Sequence, residues 1–348
     1  LLETMDWLIA FFNPTTPQGA EHFALAGIIG AALLFITLER LYPYRKGLKL
    51  FRQGFWLDFF WYTLFQSFYL KILIFDWVLH PLDQQYDIFQ VGLLSHWPMW
   101  ALVVFFLFTH DLYIYWFHRA QHTFKWLWRT HEAHHSCKEV DWVAGSRSHA
   151  LEIIINQTIE FAPIILLLDA QTAAIMIPLK GMIDAIWGQW IHSNINVKAG
   201  KLNYVINGPE MHQWHHAEHE EIYFKNYATK FAFWDWIFGT AYLPGHKPRA
   251  FGLPYHYPMN YFLQTVYSVF RFDVQKIENL PWVNAFDNAW SLLFRRLSGQ
   301  APPQPQPLAV EAPLPVAQPE QLSPKQRPAQ FTPKACSWLN TPHRCFSI

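Results

Sequence analysis

The sequence predicts an all-α integral membrane protein: a helical bundle with four or five spans and a cytoplasmic helical cap holding a histidine-rich dimetal site. Three observations carry that expectation. Long apolar runs recur along a chain of 348 residues that is 52% hydrophobic and only 15% charged, where soluble chains carry roughly 25% charged residues. Lys and Arg gather in alternate loops between those runs. Five of the 18 histidines fall within residues 118 to 135. The 26 basic and 26 acidic side chains cancel, so no global field exists to hold nucleic acid, and that class drops out. Cys137, Cys336 and Cys345 are too few and too scattered for a disulfide framework or a thiolate site. Any metal must be held by nitrogen.

The chain opens on Leu1, so its natural start is expected upstream, and its first dozen residues lack the basic segment of a signal peptide. Residues 22–42 form an apolar run with Glu39 and Arg40 only at its end, about the ~20 residues that cross a bilayer. Residues 54–80 and 97–117 are similar, with Trp and Tyr crowding their ends. Residues 151–168 and 171–192 are shorter and interrupted by Glu152, Glu160, Pro163, Asp169 and Pro178, which predicts a weaker helical hairpin or a re-entrant pair. Lys180 and Asp184, four apart within it, are expected to form a structural ion pair. Amphipathic periodicity is absent from these runs, which argues against a soluble bundle.

Residues 1–21 and 81–96 contain no Lys or Arg, whereas 40–52 and 118–150 contain five each. The positive-inside rule therefore places the second pair of loops, and with them the histidine clusters, on the cytoplasmic side. The membrane expected is a bacterial inner membrane or the endoplasmic reticulum. Residues 281–297 suit a segment lying on the membrane surface. Residues 301–348 hold 11 of the 24 prolines with Gln interleaved, a composition that cannot pack a core and predicts a disordered tail. The organisation expected is 1–96 N-terminal transmembrane helices, 97–245 a metal-bearing region, 246–300 a membrane-associated segment and 301–348 the tail.

Three histidine clusters carry the chemistry. His118 and His122 are an i, i+4 pair, about 40° apart around a helix, so both imidazoles face one way. His131, His134 and His135 fall within about 100° of arc, and His212, His215 and His216 repeat the same H-x-x-H-H spacing. Eight imidazoles exceed what one ion needs and suggest two, with adjacent histidines such as His134 and His135 able to serve different ions. His192, at the end of the last apolar run, is a candidate ninth ligand. His110, eight residues before His118, sits roughly 12 Å down the helix; it and Asp111 are expected to hydrogen-bond behind the ligands. Imidazoles without thiolate suit Fe(II), Cu, Ni or Zn rather than Mg or Ca. His131-Glu132-Ala133-His134-His135 also reads H-E-x-x-H, so a membrane-embedded zinc metalloprotease with Glu132 as general base is the rival, alongside a non-catalytic metal-binding membrane protein.

The three motifs HDLYIYWFHRAQH, HEAHHS and PEMHQWHHAEH, followed by KNYATKFAFWDWIFGT, resemble the fatty acid hydroxylase and sterol desaturase superfamily of membrane-bound, histidine-ligated non-haem dimetal oxygenases, over roughly residues 97–245. The resemblance implies a catalytic region there, with metal ligands at His118, His122, His131, His134, His135, His212, His215 and His216. It aligns His192 with an additional family histidine, and it implies that Asn226, Tyr227, Trp234 and Asp235 help to hold the site. No further catalytic residue and no organic-cofactor residue is expected. The interval from His216 to Asn226 looks like the alkylglycerol monooxygenase branch, whereas Thr123 after His122 departs from that branch, which is not adopted.

The activity so implied is O2-dependent hydroxylation, or desaturation, of a C–H bond in a lipid or sterol by a di-iron centre, with Zn able to occupy the site in purified protein. No haem module, Fe–S pattern or dinucleotide fingerprint is present in the sequence. Electrons are therefore expected from a cytochrome b5-like, ferredoxin or flavin reductase partner. Arg119, Lys125, Arg129 and Lys138 are candidates to dock it or to meet lipid headgroups.

Overall fold

The computed structural model describes residues 2–79, 81, 82, 85 and 91–297, so the expected disordered tail at 301–348 lies outside the described residues. Among them there is helix and no strand, apart from two isolated bridges, Pro43 with Ile195 and Ala217 with Phe251. Residues up to Asp287 form one compact unit, and a second begins at Asn288.

A short α1 (Leu2–Phe11) precedes α2 (Pro17–Leu41), whose start is written in its cap. Thr16 is extended and its hydroxyl accepts from Gly19 N at 3.2 Å, while Pro17 fills the first helical position where no N–H is needed. Along α2, Leu25, Ile29 and Leu33 form an i, i+4, i+8 stripe more than half exposed, a surface suited to lipid and not to water. At the cytoplasm-expected end of this helix Glu39 is buried, and its Oε1 accepts from Trp142 N and Asn194 N, both at 2.8 Å. One carboxylate thereby ties three distant stretches together.

Residues 57–79 differ from the single span expected over 54–80. Leu57–Gln66 and Ile72–Leu79 wind as wider π-type turns around a one-turn α3 (Ser67–Lys71). Hydroxyl groups follow that winding: Thr63 donates to Asp58 O at 3.0 Å and Ser67 to Tyr62 O at 3.4 Å, each five residues back. Hydropathy does not distinguish such turns from a continuous α-helix.

The site stands on the next four helices. α4 (Met99–Thr123) starts at Pro98 and stops where Phe124 turns extended, and α5 (Lys125–His135) leaves from that corner. α6 (Ala150–Leu167) is capped by His149, whose Nδ1 accepts from Leu151 N. After Leu168, Asp169 caps α7 (Ala170–His192) through Thr172 N at 3.0 Å. Leu102, Phe106, Phe161, Ile164, Leu168 and Met176 pack α4, α6 and α7 into one apolar core. α7 also lies against α2, where Gly27 leaves only the space that the Met182 thioether fills. The remaining helices are α8 (Pro209–His215), α9 (Phe233–Ile237), α10 (Tyr261–Val269), α11 (Val274–Glu278) and α12 (Pro281–Leu297).

Three of these helices, α2, α4 and α6, are long and apolar enough to cross a membrane. α7 is long as well but carries Lys180 and Asp184 in its middle.

Candidate metal centre

The corner between α4 and α5 brings the first two histidine motifs face to face, and α8, entered through Gly208 and Pro209, delivers the third. All nine sequence-predicted histidines meet, in two groups. His118, His122, His131, His135 and His215 form one; His134, His192, His212 and His216 form the other. Within each group one ring nitrogen per histidine lies within 4.8 Å of the others.

Helical geometry explains the partition. Every i, i+4 pair stays together: His118 with His122, His131 with His135, His212 with His216. The odd member of each H-x-x-H-H motif, His134 in one and His215 in the other, points to the opposite group. The groups abut, with the His131 and His134 rings 5.0 Å apart between centroids and His135 and His216 4.8 Å apart.

Hydrogen bonding fixes which nitrogen faces inward. Nδ1 donates to Tyr227 O from His118 (2.7 Å), to Arg147 O from His134 (2.9 Å), to Gly188 O from His192 (2.7 Å) and to Lys225 O from His215 (2.9 Å). His131 Nδ1 donates to the Glu152 carboxylate at 2.9 Å, and the Tyr223 backbone serves His122. A carbonyl or carboxylate only accepts, so these Nδ1 atoms hold the proton and Nε2 carries a bare lone pair. Yet His118 Nε2 lies 3.0 Å from His131 Nε2, and His134 Nε2 lies 3.2 Å from His192 Nε2. Neither contact has a proton to share. His122, His135 and His215 likewise present buried Nε2 atoms without partners. Converging lone pairs repel one another unless a cation lies among them, so the donor set fits metal.

Electrostatics agree. Burial first, and then neighbouring imidazoles, hold His131, His135, His212, His215 and His216 well below the ordinary histidine range, keeping them neutral as ligands must be.

The loop after α8 is tied down by the residues that the resemblance singled out. Asn226 holds φ at 56°, and its buried side chain donates to Met211 O and Tyr242 O and accepts from Tyr242 N. That left-handed turn aims the flanking Lys225 and Tyr227 carbonyls at His215 and His118. Asp235 accepts from Tyr227 N and Ala228 N, both at 2.9 Å; burial, despite these donors, raises its carboxyl to about 6. Trp234 packs with Tyr115 and Tyr227 and donates to Asp111 at 3.1 Å.

Two expectations need correction. Asp111 touches no ligand; it accepts from Thr229 Oγ1, Lys230 N, Phe231 N and Trp234 Nε1 and so anchors this same loop to α4. His110 bonds to Lys180 rather than to any ligand. The Lys180–Asp184 pair is present at 2.6 Å but belongs to a larger cluster with Glu160 and Lys230.

Glu132 also departs from the protease pattern. Its Oε1 accepts from Tyr255 OH at 3.0 Å and its Oε2 pairs with Arg271 at 2.7 Å. The carboxylate is thus engaged on the α10 side and lies in neither histidine group, where a general base must face the metal-bound reactant.

Sequence reasoning missed Glu152, Arg147 and Gly188. Arg147 is fully buried, its Nε bonding Asp58 at 2.5 Å, and Asp58 pairs also with Arg52, itself bound to Asp141. A cavity of about 200 Å³ opens beside the centre, lined by His118, His131, His134, His192 and His212 together with apolar Ile114, Phe117, Trp187 and Ile191.

The described residues thus combine a helical fold, three helices of membrane-spanning length and two abutting imidazole groups able to hold metal. Residues 103–240, which contain all nine histidines, match the fatty acid hydroxylase family model, and this stretch is a fatty acid hydroxylase domain. The chain is similar to an alkylglycerol monooxygenase of Homo sapiens, 27% identical over 176 residues that cover 51% of this chain and 36% of the relative. It is similar to an ornithine lipid hydroxylase of Rhizobium tropici, 28% identical over 150 residues, covering 43% and 44%. A methylsterol monooxygenase of Rattus norvegicus is 30% identical over 135 residues, covering 37% and 43%. The chain thus spans between about a third and a half of the length of these relatives. No solved structure matches it.

Proposed function

We propose that the chain is a membrane-bound, non-haem di-iron oxygenase that uses O2 and external electrons to hydroxylate, or desaturate, a lipid or sterol C–H bond. The observation that carries this reading is the inward convergence of Nε2 lone pairs in two adjoining groups, within a domain shared with named lipid and sterol oxygenases. His118, His122, His131, His135 and His215 would hold one ion, and His134, His192, His212 and His216 the other. A pair of redox-active ions supplies, with O2 and two electrons, an oxidant stronger than any side chain.

The chain's own part is placement. Backbone carbonyls and Glu152 fix every ring they touch, so the ligand field costs no rearrangement when metal enters. Ile114, Phe117, Trp187 and Ile191 give the cavity apolar walls that exclude water and accept a hydrocarbon chain beside the histidines. In this reading residues 97–245 are the catalytic region, the protein is multi-pass with four or five spans, and the centre faces the cytoplasm. Helix α12 rests on the membrane surface. A cytochrome b5-like, ferredoxin or flavin reductase partner delivers the electrons at the basic face of α5. Lys125 belongs to that face, whereas Lys138 is already paired with Glu218 at 2.8 Å.

The test is a single-turnover reaction. Iron-loaded protein in nanodiscs of total lipid extract is reduced without air, then exposed to 18O2, and the lipids are analysed by mass spectrometry. The expected result is a lipid carrying one 18O atom, or a desaturated lipid, absent when O2 is withheld. Lipid unchanged after reduction and O2 exposure would overturn the reading.

A further inference from the structure

The cavity beside the histidines has a second polar end. His110, Asp184, Thr229 and Lys230 line it away from the metal-binding rings, and along α4 the eight residues from His110 to His118 amount to about 12 Å. His110, Glu160 and Asp184 could by proximity hold a cation of their own, but Lys180 already occupies that position. Its fully buried ammonium reaches Glu160 Oε1 and Asp184 Oδ2 at 2.6 Å and His110 Nδ1 at 3.0 Å, which uses all three of its N–H groups.

That arrangement determines the state of His110. An ammonium only donates, so Nδ1 is the accepting nitrogen and the proton of the neutral ring sits on Nε2. His110 Nε2 is buried and has no acceptor; Glu160 Oε2, at 3.9 Å, is beyond hydrogen-bond range. Trp187, three residues after Asp184 on α7, lines the same cavity, and its buried Nε1–H also has no partner. Two unanswered donors in one apolar-walled cavity call for an acceptor oxygen from outside the chain. Lys230, on the same wall, is already paired with Asp184 at 2.6 Å, as Lys180 is, so among the described residues no cation is left over here for an anionic ligand and a neutral acceptor suits this end.

We infer that this end of the cavity is a binding subsite for a neutral oxygen of the lipid substrate, a hydroxyl, ether or carbonyl, that accepts from His110 Nε2–H and Trp187 Nε1–H. The subsite holds the substrate by its polar group, and the chain extending from it brings a C–H bond to the histidines. It deepens the oxygenase reading, since it names the class of lipid, and it rests on that reading only for calling the ligand a substrate.

The probes are hexadecan-1-ol and hexadecane, competed against radiolabelled hexadecan-1-ol on the metal-loaded full chain in detergent. The wild type is expected to prefer the alcohol by about 10-fold or more, the usual consequence of leaving buried donors unanswered. Trp187→Phe and His110→Phe are each expected to reduce that preference several-fold with metal content unchanged. His110→Gln, which keeps an acceptor for Lys180 and a donor for the ligand, should retain it. An equal affinity for alcohol and alkane in the wild type, or a preference untouched by Trp187→Phe and His110→Phe, would overturn the subsite. If His110→Phe does not fold, Trp187→Phe decides alone. Alcohol preference that follows these residues in a protein that oxidises no lipid would sustain the subsite and sink the oxygenase reading.

Discussion

Replacing Glu152 by Gln separates the two histidine groups more cleanly than removing a ligand does. The Glu152 carboxylate accepts from His131 Nδ1 at 2.9 Å, whereas His134 of the four-histidine group feels its charge without being hydrogen-bonded to it. Gln keeps the length of the side chain and an acceptor oxygen but removes the charge that makes the imidazole a better donor to metal. Losses of this kind cost about 10- to 100-fold in metal affinity, or about 1.4 to 2.7 kcal/mol. Most of that cost is expected at the ion bound by His118, His122, His131, His135 and His215, because His131 alone among the ligands is hydrogen-bonded to Glu152. Competition of the loaded protein against a graded series of chelators, read by elemental analysis, should show one of two ions released 10- to 100-fold more readily, with the other changed far less. Equal weakening of both ions, or of neither, would refute the claim that the groups act as separate ligand sets.

Three further outcomes follow from the same geometry. Asp58→Asn leaves the buried Arg147 guanidinium without its anion and weakens that of Arg52, so thermal unfolding of the metal-free protein should register a loss of about 3–5 kcal/mol; an unchanged melting temperature would show that the network carries no stability. Asn226→Ala and Asn226→Gly both lose three hydrogen bonds, but only Ala strains against φ of 56°, and Ala should be the less stable by about 1 kcal/mol. The metal-free protein should also weaken as pH falls below the ordinary histidine value of 6.5. His131, His135, His212, His215 and His216 refuse protons when folded and accept them when unfolded. The unfolded state therefore binds more protons there, each such histidine removing up to about 1.4 kcal/mol per pH unit until its folded value is reached. A melting temperature that holds or rises from pH 7 to pH 6 would contradict this.

Much of the centre was legible in the sequence because helices convert spacing into direction. The i, i+4 pairs required His118 with His122 and His131 with His135, and the 100° step between neighbours required His134 and His135 to part. The partners behind the rings were not legible. Five are backbone groups, of Tyr223, Tyr227, Lys225, Arg147 and Gly188, and a backbone carbonyl has no residue identity to read. Glu152 was visible only as an acid in the first turn of an apolar helix, and its pairing across 21 residues with His131 depends on how α5 and α6 meet. Asn226 shows the middle case: its residue type suits a left-handed turn, but the two carbonyls that the turn aims become evident only from the fold. The winding of the stretch 54–80 was hidden for a different reason, since π-type and α-type turns present the same hydropathy.

Metal content of two single-ligand variants tests the central claim most directly. Purified wild-type protein is expected to hold two ions per chain, one for each histidine group. His135→Ala and His212→Ala should each retain one, and the double variant none, by elemental analysis at matched protein recovery. A wild type with a single ion, or single variants that lose both ions together, would contradict the account of two neighbouring metal sites built from separate sets of imidazoles.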